Sequence, residues 1–129
     1  MAGIRGKAAG LVEASGFMDR VREPLKAAAA VHADETPARA AGGTRYVHLA
    51  CTRYLTCMHT GDRSAEAIDA GGVLPGYQGV IVRDGYAGYG HVTSALHAWC
   101  GVHYADTAVM PIRRRPSLVM GVPGVRISA

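Results

Sequence analysis

Two apolar runs, each closing on an aspartate, constrain this chain more than any other feature. They are Ala28–Asp34 (AAAVHAD) and Gly79–Asp84 (GVIVRD). Short apolar runs bounded by turn residues have the form of buried strands. Between them lie two alternating segments, Tyr46–Thr52 (YVHLACT) and Tyr54–His59 (YLTCMH), joined tightly at Thr52-Arg53. This pair reads as an antiparallel hairpin beside the first strand, with Gly42-Gly43 as the turn before it. A short helix, SAEAIDA, follows. Asp62 or Ser64 can cap it, and Glu66 falls in its favourable first turn. Gly71-Gly72 ends this helix and Pro75-Gly76 makes a loop.

Upstream, Leu11, Ala14, Met18, Val21 and Leu25 recur at spacings of three and four, the period of one helical face. Asp19, Arg20, Arg22, Glu23 and Lys26 occupy much of the other side. Pro24 removes a backbone donor and crowds the carbonyl of Arg20, so a kink or an early stop is expected there. The order is therefore helix, strand, hairpin, helix, strand, which specifies an α/β domain.

At 129 residues the chain has room for one domain with a real core and not for two. Hydrophobic residues make up 49% and charged residues 19%, which excludes a disordered chain. No apolar stretch approaches membrane-spanning length, and the basic N-terminus lacks an apolar core of signal-peptide length. A cytoplasmic protein is expected. The three cysteines, Cys51, Cys57 and Cys100, cannot all pair within one chain and suggest no disulfide framework. The net charge of +4 is too small to identify nucleic acid as a partner. Its distribution is uneven: no acidic residue follows Asp106, whereas Arg113, Arg114, Arg115 and Arg126 do.

Each aspartate alone has a bland explanation. Asp84-Gly85 is a common turn pair, and Asp34 could turn the chain before Pro37. Together they permit more. If the two strands are neighbours in one sheet, both carboxylates emerge side by side and favour a divalent cation between them. Oxygen ligands suit Mg²⁺ or Mn²⁺, and such sites promote in-line displacement at a phosphodiester.

The segments HADETPARAAGGTRYVHLACTRYLT, HTGDRSAEAIDAGGVLPGYQGVIVRDGYAGY and LHAWCGVH, in that order, resemble the catalytic core of bacterial transposases of the insertion-sequence 66 family. The resemblance runs from about Val31 to His103, and GFMDRVREPLKAAAA is similar to the segment preceding that core. It implies a ribonuclease H-like fold, here a truncated mixed sheet with flanking helices, and a triad of acids binding two metal ions. By this resemblance Asp34 in HADET is the first acid and Asp84 in VRDGY the second. Glu35 and Thr36 belong to the motif without being expected metal ligands. Tyr86 and Tyr89 match aromatic positions expected to pack the next helix on the sheet. Arg83 stands where the family often has histidine.

HAWCGVH places His97, Cys100 and His103 at spacings of three, along one face if the segment is helical. All three can bind zinc, but a structural site needs a fourth ligand that is not apparent locally. Packed histidines and a buried cysteine are the favoured reading.

In the resembled family the third acid is a glutamate farther on. Here Glu66 is the last glutamate, and Asp106 is the one acid after Asp84. The tail after His103 has three prolines and an Arg-Arg-Arg run, and it departs from the family pattern. It could grip phosphates or be a solvated basic tail; out-of-frame translation of a decayed gene is the preferred reading. Three segments are thus expected: helical residues 1–30, a partial transposase core over 31–104, and a basic, poorly ordered tail over 105–129. The resemblance implies a fragment lacking segments at both ends, with Mg²⁺ or Mn²⁺ as cofactor and insertion-sequence DNA ends as partner in cleavage and strand transfer. It also allows a homo-oligomer. Without a third acid, this chain by itself is expected to be inactive. The rivals are a DNA-binding or regulatory protein without catalysis, a metal-dependent nuclease using Asp106, and a structural role without nucleic acid.

Overall fold

The computed structural model describes residues 3–40 and 42–102. His103, Asp106, the arginine cluster and the 105–129 tail lie outside the described residues.

Two helices open the chain, α1 (Ile4–Ala14) and α2 (Phe17–Lys26). The apolar periodicity predicts one helix failing near Pro24. Instead the break lies at Ser15-Gly16, and Pro24 is inside α2. Gly16 adopts φ 66°, the left-handed conformation that glycine enters without a Cβ penalty. The Ser15 hydroxyl donates to the Val12 carbonyl at 2.7 Å and accepts the Phe17 amide at 3.3 Å, bridging the two helices. α1 buries no residue, whereas α2 turns Val21 and Leu25 into the core.

Five strands follow: β1 (Ala30–Ala40), β2 (Gly43–Cys51), β3 (Thr56–Gly61), β4 (Val80–Arg83) and β5 (Leu96–Trp99). They form one sheet in the order β3-β2-β1-β4-β5. β1, β2 and β3 form an antiparallel meander, and the expected hairpin is β2–β3. β4 lies parallel to β1, and β5 parallel to β4. A five-residue helix, α3 (Ala65–Asp69), connects β3 to β4. Ser64 caps it, its hydroxyl accepting the Ala67 amide at 3.1 Å, while Asp62 Oδ1 accepts the Ser64 amide. A single 3₁₀ turn, Ala87–His91, connects β4 to β5. The chain is thus a mixed α/β sheet with flanking helices, the class expected of a ribonuclease H-like core.

Two expectations need correcting. The first strand does not end at Asp34 but runs on to Ala40, because His32–Ala40 pairs along its whole length with β2. The LHAW segment is strand β5 and not helix, so the spacing of three does not align His97 and Cys100 on a helical face.

One face of the sheet is the core. Val31 and Ala33 of β1, Ala50 of β2, Cys57 of β3 and Ile81 of β4 pack with Val21, Leu25, Ile68, Val73, Leu74, Tyr77, Tyr89, Val92 and Ala95. Entry into β4 is close-fitting. Tyr77 donates its hydroxyl to the Ala28 carbonyl at 2.6 Å, and a Cβ on Gly79 would lie 2.6 Å from the Tyr77 ring. Glycine is the residue that lets that ring and the Ala29 carbonyl approach together.

Candidate functional site

β1 and β4 determine the geometry. Their parallel register pairs Ala30 with Val80, Val31 with Ile81 and His32 with Val82. The ladder ends there, and Asp34 and Asp84 each lie two residues further along their chains. Side chains alternate along a strand. Val31, Ala33 and Glu35 therefore face the core, and His32, Asp34 and Thr36 the opposite face. Asp34 and Asp84 are both half-buried. The two strands are neighbours, the condition the sequence reading set, although only β4 ends near its acid.

Asp84 is the first residue beyond β4, and its turn is held from several sides. Its Oδ1 accepts the Tyr86 amide at 2.9 Å. Arg83 Nη1 donates to the Asp84 and Tyr86 carbonyls, each at 2.9 Å. Arg83 Nε donates to His97 Nδ1 at 2.9 Å, which leaves His97 Nε2 to donate to the Val92 carbonyl at 3.0 Å. Both ring nitrogens of His97 are thereby engaged within the protein. Cys100 follows β5, its amide donating to the Arg83 carbonyl at 2.7 Å.

Behind Asp34 lies a buried polar cluster centred on Glu35, whose side chain is 1% exposed. Arg63 donates twice to Glu35 Oε1, from Nη2 at 2.7 Å and Nε at 3.1 Å. The Tyr89 hydroxyl donates to Oε2 at 2.7 Å. The Arg63 guanidinium also lies over two rings, 3.8 Å from the centre of Tyr86 and 5.4 Å from that of Tyr46. Tyr86 donates its hydroxyl to the Arg63 carbonyl at 2.7 Å. Glu35 raises Arg63's guanidinium above its ordinary value, chiefly through their hydrogen bonds. Burial pushes the Tyr89 phenol up, and the hydrogen bond and charge of Glu35, then the charges of Asp34 and Asp84, add to it.

Tyr86 and Tyr89 do pack against the sheet side of the fold, but their hydroxyls carry polar roles that the sequence reading missed. So does Glu35. The signal was available: alternation with Val31 and Ala33 turns Glu35 inward, and a buried carboxylate requires donors.

The two aspartates supply hard oxygen donors on one side of the sheet, which fits Mg²⁺ or Mn²⁺ as part of a coordination shell. Among the described residues, no group of three or more His, Cys, Asp or Glu is placed to hold a metal ion. Also among them, no helix is long and apolar enough to cross a membrane.

A family model described as "Transposase IS66 family" matches residues 1–108. No curated protein and no solved structure matches the chain.

Proposed function

The chain belongs to the IS66 family of transposases, and on that premise we propose that Asp34 and Asp84 are two carboxylate ligands for a divalent metal in DNA cleavage and strand transfer. The observation that supports this reading is that β1 and β4 are parallel neighbours, paired as far as His32–Val82, two residues before each acid. Asp34 is rigid because β1 is paired with β2 on one side through the whole site. Asp84 is presented by a turn whose carbonyls are tied down by Arg83. When bound, Mg²⁺ would supply Lewis acidity toward a phosphodiester oxygen and toward an attacking water or 3′-hydroxyl. The residues' own task is to hold that charge at a fixed point.

Two carboxylates are two of the three acids that the resembled triad needs. Glu66 is on α3, whose Ile68 is buried in the core on the face away from Asp34, so it does not complete the set. We therefore infer weak metal binding and no strand transfer by this chain alone. Manganese titration followed by electron paramagnetic resonance, together with a nicking assay on insertion-sequence end duplexes, tests both halves. Weak Mn²⁺ binding should be present in the wild type and lost in Asp34→Asn and Asp84→Asn, with no strand-transfer product. Mn²⁺ binding indifferent to both substitutions would refute the assignment. DNA binding that persists without any metal requirement would favour a non-catalytic DNA-binding role.

A further inference from the structure

Asp34 and Glu35 are consecutive on β1 and point to opposite faces. Asp34 faces the candidate metal site. Glu35 faces the core, where it reaches the two groups that border the Asp84 turn. One is Tyr89, in the 3₁₀ turn five residues after Asp84, whose hydroxyl ends on Oε2 at 2.7 Å. The other is Arg63, which binds Oε1 twice and stacks on Tyr86. Tyr86 is in turn the residue whose amide Asp84 Oδ1 accepts at 2.9 Å. The path from the first acid to the second is thus short and made of contacts: β1, Glu35, then Tyr89 directly and Tyr86 through Arg63, then the Asp84 turn.

We propose that Glu35 is a positioning residue, fastening the Asp84 turn to the strand that carries Asp34 through Tyr89 and the Arg63–Tyr86 stack. The proposal rests on the reading of Asp34 and Asp84 as a pair, and it adds what keeps that pair in place. β4 is four residues long and its pairing with β1 stops at His32–Val82. Beyond that point no backbone ladder joins the two strands, so the separation of the carboxylates depends on side chains. Arg83 shapes the turn internally, through the Asp84 and Tyr86 carbonyls, but its other partner is His97 of β5, not β1. Glu35 supplies the link to β1. A buried carboxylate is well suited to this, because two oxygens can serve two elements at once.

The test uses the full chain as wild type, Tyr89→Phe and Glu35→Gln, with Asp34→Asn and Asp84→Asn as controls. Circular dichroism establishes that each variant is folded. Two readouts then report position in place of stability. The first is the proton resonance of the Tyr86 amide, which is deshielded while bound to the Asp84 carboxylate. The second is Mn²⁺ affinity. In Tyr89→Phe and Glu35→Gln the Tyr86 amide should move upfield while the amides of Val47 and Met58, on β2 and β3, stay in place. Mn²⁺ binding should weaken about tenfold to a hundredfold, as for other outer partners of metal ligands. Tyr89→Phe, the milder change, carries the test if Glu35→Gln fails to fold. A wild-type Tyr86 resonance together with wild-type Mn²⁺ affinity in a folded variant would overturn the proposal. If the amide moves but the wild type binds no Mn²⁺ through Asp34 and Asp84, the positioning role stands and the metal reading falls.

Discussion

Replacing Tyr89 with phenylalanine removes one hydroxyl from the interior and tests how the Glu35 cluster is held. Tyr89 is 2% exposed and the Glu35 side chain 1%, so no solvent reaches their 2.7 Å hydrogen bond. Glu35 Oε1 keeps both Arg63 donors in the variant, while Oε2 loses the Tyr89 donor. A hydrogen bond to a charged group contributes about 1.5–3 kcal/mol, and leaving its buried acceptor unsatisfied costs a similar amount. The expected loss is about 2 kcal/mol at neutral pH. For a domain of about a hundred residues that lowers Tm by roughly 8 °C or more. The pH dependence has its own sign. Burial and the neighbouring carboxylates raise the Tyr89 phenol in the folded state. The unfolded chain then loses this proton first, and wild-type stability falls as pH rises above the ordinary phenol value of about 10. Tyr89→Phe should be less stable at neutral pH and should lose less on going from neutral to strongly alkaline pH. Urea unfolding followed by circular dichroism at a series of pH values measures both. A variant within 0.5 kcal/mol of wild type, with a parallel alkaline slope, would refute the cluster as described.

Two other substitutions probe separate parts of the fold. Gly16→Ala should cost about 1–2 kcal/mol through the left-handed backbone alone, since a Cβ there meets no atom within 4 Å; an unchanged Tm would show that the helix break is set elsewhere. His91 Nε2 lies 2.8 Å from Asp69 Oδ1, and this bond first, with the Gly88 carbonyl and nearby acids, raises the imidazole above its usual value. Its contribution is therefore complete below about pH 6.5 and lost as pH rises through the elevated folded value. Asp69→Asn should flatten that decline between about pH 6 and 8, by less than about 1 kcal/mol for a pair this exposed. Thermal melts across that range give the answer, and a decline as steep as wild type would count against the pair.

How much of this was legible in the sequence depends on the range of the forces involved. Periodicity and turn chemistry are local, and they sufficed for the β2–β3 hairpin, the Ser64-capped helix and β4. They failed where a distant partner overrode them. Leu96–Trp99 reads as one end of a helical His-x-x-Cys-x-x-His pattern, but β4 offers it a parallel ladder from Leu96 to Trp99. Pro24 looked like the breaker, yet burial of Val21 and Leu25 offsets its lost hydrogen bond and α2 runs on to Lys26; the break falls at Gly16, with its positive φ, instead. The Glu35 cluster needed knowledge of which residues cross from three other segments, and no spacing rule contains that.

The aspartates illustrate both outcomes in one pair of residues. An apolar run ending in an acid suggested two strands that stop together at a site. β4 does stop, with Asp84 next in the chain, but β1 continues for six residues past Asp34 because β2 still pairs with it. The site therefore sits where β1 loses its parallel neighbour and keeps its antiparallel one. It allows Asp34 to be fixed by a ladder while Asp84 is placed by a turn, and a turn has to be fastened by side chains. Under the proposed positioning role, a glutamate beside Asp34 is what the place calls for: an apolar residue could fill that space, but it could not hold Tyr89 and Arg63 at once.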